Sequence, residues 1–273
     1  IPHSAEGTVS GYGPYRALPV KEYFAAERGK DRLHSERGMP NVMPYESMKR
    51  MLSEENQWPQ NSVWGMHDYT LKNAQSCATV NQMVETAFGE ASDLKEFTEW
   101  AQWVNYNGYR AMYESRSWNR KGLIIWMSHS CWPSMVWQTY DYYFDPTAAF
   151  FGIKKACEPL HVQYNASTAQ VQLVNMMKPA QDIKVIATMY DLKGKEVWKK
   201  ADSAHLPSDS TVNCFEVLSP DTTKSFMLRL EAVSMLNGEL LSTNTYFLWS
   251  NESAKELDSM PIANVDVRPI FDP

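Results

Sequence analysis

The sharpest change in the sequence falls at Pro159, and it limits what the chain can fold into more than any other feature. Beyond it, seven short segments alternate apolar and polar residues: 161–164, 171–175, 183–190, 196–199, 212–217, 226–232 and 245–249. A period of two is the pattern of a strand with one face buried. Turn signals separate several of them: Lys178-Pro179, Lys193-Gly194, Leu206-Pro207, Ser219-Pro220-Asp221 and Asn237-Gly238, the last a strong hairpin turn. Closely spaced strands of this kind predict an antiparallel, immunoglobulin-like sandwich over residues 159–250. Residues 251–273 lose the pattern and read as a linker or the start of a further domain, with a strand over 265–270.

Ahead of Pro159 the rhythm is helical. Residues 45–52 follow Pro44, residues 69–88 end at Gly89, and residues 93–116 follow Ser92 as the expected cap. In the last of these, Leu94, Phe97, Trp100, Ala101, Val104, Tyr109 and Met112 form one apolar stripe. The continuous run Gly122-Leu123-Ile124-Ile125-Trp126-Met127 follows, as in a parallel strand buried on both faces, and residues 148–157 make a further helix. Long helices before a buried strand point to a βα arrangement, so the fold class is α/β followed by all-β. Residues 1–31 are expected to be loop. Gly11-Tyr12-Gly13 lacks the strand and helix of a dinucleotide site, and no cofactor is expected.

Composition excludes some functions. A net charge of -6 without a basic run argues against nucleic acid and anionic membranes, and no apolar stretch spans a bilayer. Cys77, Cys131, Cys157 and Cys214 show no metal-like spacing, so no metal is expected. The 10 Trp, 14 Tyr and 10 Phe provide rings that stack on sugars, though such rings more often fill cores.

The chemistry-bearing stretch is Arg32-Leu33-His34-Ser35-Glu36-Arg37-Gly38-Met39-Pro40. A short strand ends in a lone carboxylate, and Gly38 and Pro40 then turn the chain away. A carboxylate there projects into a cleft, where a nucleophile would stand; the other reading, which spacing alone favours, is a solvated Glu in a turn. The polar and aromatic loop Ser128-His129-Ser130-Cys131-Trp132-Pro133-Ser134 leaves the next strand's C-terminal end, the active face in α/β barrels.

His34-Ser35-Glu36-Arg37-Gly38-Met39-Pro40 resembles the nucleophile strand of glycoside hydrolase family 2. Gly122 to Met127, Cys131-Trp132-Pro133-Ser134 and Tyr140-Asp141-Tyr142-Tyr143 resemble its eighth barrel strand and following loop. Phe151-Gly152-Ile153-Lys154-Lys155-Ala156-Cys157-Glu158-Pro159-Leu160-His161-Val162 resembles the passage into its next sandwich. The closest subgroup is the exo-β-D-glucosaminidase and β-mannosidase type. The resemblance implies that residues 1–158 are the C-terminal part of a (β/α)8 barrel, strands seven and eight with their helices. It implies a retaining exo-acting β-glycosidase for terminal mannose- or glucosamine-type sugars, with Glu36 as nucleophile. Its acid/base carboxylate would lie outside these residues, leaving the piece inactive alone. Trp126 would floor the sugar subsite, with His129, Trp132, Tyr12 and Tyr15 as further substrate contacts and Asp141 supporting the loop. The partner implied is a carbohydrate, with self-association through open barrel edges, and the location favoured is periplasmic or extracellular. The alternative is a non-catalytic carbohydrate-binding or structural module on the same fold.

Overall fold

Three parallel strands form the sheet that carries Glu36. They are β1 (Val9–Ser10), β2 (Leu33–Arg37) and β3 (Gly122–Ile125), paired in that order. Parallel neighbours need long crossovers. Helix α1 (Val20–Ala26) joins β1 to β2; α2 (Tyr45–Met51), α3 (Ser62–Met66), α4 (Cys77–Phe88) and α5 (Leu94–Trp118) lie between β2 and β3; α6 (Ala148–Ala156) follows β3. The computed structural model describes residues 9–11, 13, 15–26, 32–69, 77–176, 179–218, 221, 223–249, 254, 256–257 and 260–261. Tyr12, residues 70–76 of the expected helix, and the expected strand over 265–270 lie outside them.

Helix α5 organises the first half. Its cap is Asp93, one residue later than expected: the Asp93 carboxylate accepts from the Glu96 amide at 2.9 Å. The Glu96 carboxylate reaches back to the Ser92 amide at 2.6 Å, so Ser92 donates to the cap. Leu94, Phe97, Ala101, Val104, Tyr109 and Met112 are buried, as the stripe predicts. The C-terminal half buries Arg110 and Glu114 as well, where the antiparallel sheets cover the helix from a second side, and Arg116, which donates to the Gly122 carbonyl of β3 at 2.6 Å. Helix α6 crosses α5 at Gly152, where a Cβ would stand 2.5 Å from the Tyr106 carbonyl oxygen.

Seven antiparallel strands follow: β4 (Leu160–Asn165), β5 (Gln170–Asn175), β6 (Gln181–Tyr190), β7 (Glu196–Leu206), β8 (Ser210–Glu216), β9 (Phe226–Ser234) and β10 (Leu240–Leu248). They form two sheets, β10-β9-β6-β7 and β4-β5-β8. Val162, Val171 and Leu173 of one share an apolar core with Ile183, Val185, Leu228 and Leu230 of the other. Gly238, with φ of +75°, turns the β9–β10 hairpin at the expected Asn-Gly. Strand β7 runs well beyond 196–199; it is an edge strand, exposed along most of its length, so its polar residues hide the alternation.

Three expectations need correction. Residues 1–31 are not all loop, since they include β1 and α1, and Tyr23 and Phe24 bury one face of that helix. A strand therefore does precede Gly11, although the helix starts only at Val20. Strand β3 is not buried on both faces: Ile124 is 54% exposed, because β3 is the sheet's edge among the described residues.

Candidate active site

The end of β2 departs from regular pairing. His34 pairs with Leu123 and Arg37 with Ile125, so three steps along β2 match two along β3. The extra residue is a bulge at Ser35-Glu36, a device that re-aims side chains at sheet ends. Arg37 is buried, with its guanidinium 5.5 Å from the Tyr23 ring centre, while Glu36 is only partly covered. Burial pushes the Tyr23 phenol up to about 12, so that ring stays neutral beside the guanidinium.

Tyr15 donates its hydroxyl to the Glu36 carboxylate. The Tyr15 backbone bridges to Gly38 in parallel, and the Gly13 amide donates to the Glu36 carbonyl at 3.1 Å. Behind the phenol lies Trp137, its ring 5.1 Å from that of Tyr15. Gly38 is a close-approach position: a Cβ there would collide with the Trp126 carbonyl oxygen and press on Trp137 Cβ at 3.3 Å. Trp126 donates its amide to the Arg37 carbonyl at 2.9 Å, and Met127 donates to the Trp137 carbonyl at 3.3 Å. The Trp126–Met127 peptide is cis. Glu36, Tyr15, Trp126 and Trp137 thus converge on one end of the sheet, and Trp126 is 41% exposed there.

Helix α5 fixes the backbone that leaves this site. The Tyr109 hydroxyl accepts from the Met39 amide at 3.3 Å and lies 2.8 Å from the Met39 carbonyl and 3.1 Å from that of Trp137. Burial pushes the Tyr109 phenol far above its ordinary value, so it remains a neutral donor. Asn105, one turn earlier, donates to the Pro40 carbonyl at 2.8 Å and accepts from the Val42 amide at 3.3 Å. Asn41 donates to the Gln138 carbonyl at 2.6 Å, tying β2's exit to the loop after β3. Sequence reasoning placed Tyr109 in an apolar stripe and passed over Asn105 and Trp137. The available signal was two hydrogen-bonding residues four apart on a face otherwise apolar.

The remaining expected contacts in the described residues have partners of their own. His129 stacks on Phe144 at 4.5 Å, and Trp132 stacks on His67 at 5.7 Å, while His67 Nδ1 is 2.7 Å from the Pro133 carbonyl. Asp141 accepts from the Tyr143 and Asp145 amides, each at 2.8 Å, and closes the turn below them. The structure therefore joins Tyr15 to Glu36 and exposes Trp126 at the same end of the sheet, while His129 packs on Phe144 of the loop and Trp132 on His67 beyond the end of α3. Among the described residues no group of three His, Cys, Asp or Glu side chains is arranged to hold a metal ion, and no described helix is long and apolar enough to cross a membrane. Asn165, in the sequon Asn165-Ala166-Ser167, is buried, and its side-chain oxygen accepts from the Ser167 and Thr168 amides. A partly exposed carboxylate that accepts from a tyrosine hydroxyl, at the end of the sheet where an indole is also exposed, suits attack on a carbon lying against an apolar face.

No family model matches the chain. It is 26% identical over 270 residues to an exo-β-D-glucosaminidase of Hypocrea jecorina, covering 90% of this chain and 30% of that protein. It is 31% identical over 197 residues to a mannosylglycoprotein endo-β-mannosidase of Lilium longiflorum, covering 69% of this chain and 20% of the relative. The chain therefore spans under a third of the length of these relatives. Among solved structures, the Amycolatopsis orientalis exo-chitosanase CsxA superposes with a TM-score of 0.75 at 23% identity, over 86% of this chain and 30% of the other. The β-D-mannosidase from Dictyoglomus thermophilum gives 0.72 at 20% identity, over 86% of this chain and 29% of the other. Both share its fold.

Proposed function

From the chain's kinship with exo-β-D-glucosaminidases and β-mannosidases, a glycoside hydrolase family 2-like group to whose C-terminal part it aligns, we propose that it supplies one half of a retaining β-glycosidase site. In this reading the three-stranded parallel sheet and its helices, residues 1–158, are the closing part of a (β/α)8 barrel. Residues 159–250 form the immunoglobulin-like sandwich behind it, and residues 251–273 link onward. The substrate is a terminal β-linked sugar of mannose or glucosamine type.

Glu36 attacks the anomeric carbon as nucleophile, and Tyr15 fixes the attacking carboxylate through its hydroxyl. Trp126 lies under the sugar ring. Tyr12, His129 and Trp132 are assigned to the outer part of the same cleft. Retention needs a second carboxyl about 5–5.5 Å from the first, to protonate the leaving oxygen and then activate water. That group is assigned to a part of the enzyme outside these 273 residues, so the chain alone turns nothing over. One observation carries the proposal most: the bulge at Ser35-Glu36 directs a partly exposed carboxylate, hydrogen-bonded to Tyr15, to the end of the sheet where Trp126 is also exposed.

The test is turnover of aryl β-D-glucosaminide and β-D-mannoside by the purified chain and by the polypeptide extended upstream in its reading frame. The expected result is none for the chain, and turnover by the extended protein that is lost in Glu36→Gln. Turnover by the chain alone, or by an extended Glu36→Gln protein at the parent rate, would sink it.

A further inference from the structure

Away from the cleft, a cluster of ionisable groups is enclosed where α5 and α6 meet the antiparallel sheets. The His161 ring on β4 is fully buried. Its Nε2 lies 3.0 Å from Glu114 Oε1 on α5, and its Nδ1 lies 3.2 Å from Glu158 Oε2 just after α6. Glu114 Oε1 also accepts from the Tyr246 hydroxyl at 2.6 Å and from Asn244 Nδ2 at 3.0 Å, both on β10. Glu158 accepts from the Ser242 hydroxyl of β10 at 2.8 Å and from the Lys155 ammonium of α6. Arg110, one turn before Glu114, sits 4.1 Å over the Tyr246 ring and donates to Asn244 Oδ1 at 2.9 Å and the Thr245 carbonyl at 2.7 Å. One cluster thus ties two helices to strands of both antiparallel sheets.

The geometry constrains the proton count on His161. A neutral imidazole has one N–H and one lone pair. With a carboxyl oxygen on each nitrogen, at 3.0 and 3.2 Å, either neutral tautomer would turn its lone pair toward an acceptor oxygen; the Asn244 amide nitrogen, 3.4 Å from Nε2, is farther than the Glu114 oxygen there. Only the imidazolium donates to both. We infer that a single proton on His161 is the latch that fastens the helical half of the molecule to the antiparallel sheets, and that its loss releases the seam.

The surrounding charges agree with this. Burial pulls the imidazole down, yet the hydrogen bonds to Glu114 and Glu158 outweigh it, and the net shift is upward. Burial likewise opposes the Glu158 charge, but donation from His161, Lys155 and Ser242 holds its carboxyl down to about 2. Burial pushes the Tyr246 phenol well above its ordinary value, and raises that of Tyr164 beside it, so both stay neutral. The groups facing His161 are thus the Glu114 and Glu158 carboxyls; of the nearby cations, Lys155 donates to Glu158 and to the Thr243 carbonyl, and Arg110 to Asn244 and Thr245. Deprotonation would leave the buried Glu114 side chain with only the Tyr246 hydroxyl and the Asn244 amide as donors, and the imidazole with an acceptor facing an acceptor. Because the folded value is raised, the stabilisation is complete below the value of a free imidazole and is lost as pH rises through the folded value. The latch therefore opens toward alkaline pH.

The experiment is nitrogen-15 NMR of the imidazole rings in the full chain, with His161 identified by the signals missing in His161→Gln. Both ring nitrogens should be protonated at pH 7, and the midpoint should lie above that of histidine in a short peptide, about 6.5. Thermal unfolding should show a melting temperature that falls through that midpoint, and Glu158→Gln should move both to lower pH. If His161→Gln does not fold, Glu158→Gln supplies the assignment by its displaced signals. A single neutral tautomer for His161 at pH 7, or a midpoint that Glu158→Gln leaves in place, would overturn the inference.

Discussion

Tyr15 is the residue on which the geometry of Glu36 turns. A carboxylate at a bulged strand end has two oxygens to orient, and the Tyr15 hydroxyl holds one of them. A hydrogen bond to a charged group contributes about 1.5–3 kcal/mol. If that bond orients the nucleophile in the transition state, Tyr15→Phe in the extended enzyme should lower kcat roughly 10- to 150-fold and leave KM nearly unchanged. Steady-state kinetics on an aryl glycoside check this; an unchanged kcat would remove Tyr15 from the mechanism. Glu36 itself was legible in the sequence, since a carboxylate just ahead of Gly38 and Pro40 reads as the end of a strand. Tyr15 was expected only as a substrate contact, and its hydrogen bond to Glu36 was not foreseen. The backing by Trp137 and the anchoring by Tyr109 and Asn105 were not, because those side chains act through backbone groups brought near only by the fold.

At the scale of elements, the contact of α5 with α6 sets how the loop after β3 is presented. Gly152 allows that contact, with the Tyr106 carbonyl oxygen 2.5 Å and the Arg110 amide 3.2 Å from where a Cβ would lie. Alanine would gain up to about 1 kcal/mol in helix propensity. Forcing a methyl onto rigid backbone costs about 1–3 kcal/mol. The clash should win, so Gly152→Ala should destabilise the protein by about 1–2 kcal/mol in urea denaturation; a raised midpoint would contradict the tight crossing. Strongly periodic elements were legible: α5 and five of the seven strands after Pro159 fall close to the expected bounds, while β7 and β10 overlap the expected 196–199 and 245–249 but run well beyond them. Helix α1, one of whose faces is exposed, and the outer part of β7 were not, for their apolar signal is short or absent. Edge or interior position is a tertiary property, which is why the run at β3 misled.

Over the whole molecule, the two halves differ in how completely they cover themselves. The antiparallel sheets close on a shared core, while among the described residues the parallel sheet ends at β3 with Ile124 and Trp126 exposed. Open parallel edges with apolar residues template pairing with other chains. The chain should therefore self-associate, with a mass by light scattering that rises with concentration; a monomer of constant mass across the range would contradict this. The change of rhythm at Pro159 made the two-part plan legible. The seam between the parts was not, since Glu114 and His161 lie 47 residues apart and nothing in the sequence pairs them. The central claim is that the Glu36 side chain bonds covalently to the sugar. Peptide mass spectrometry of the upstream-extended polypeptide, incubated with a slow fluorinated β-mannoside bearing a good leaving group, tests it directly. The account predicts one added glycosyl group, on the peptide containing Glu36; an adduct on a different carboxylate would contradict it.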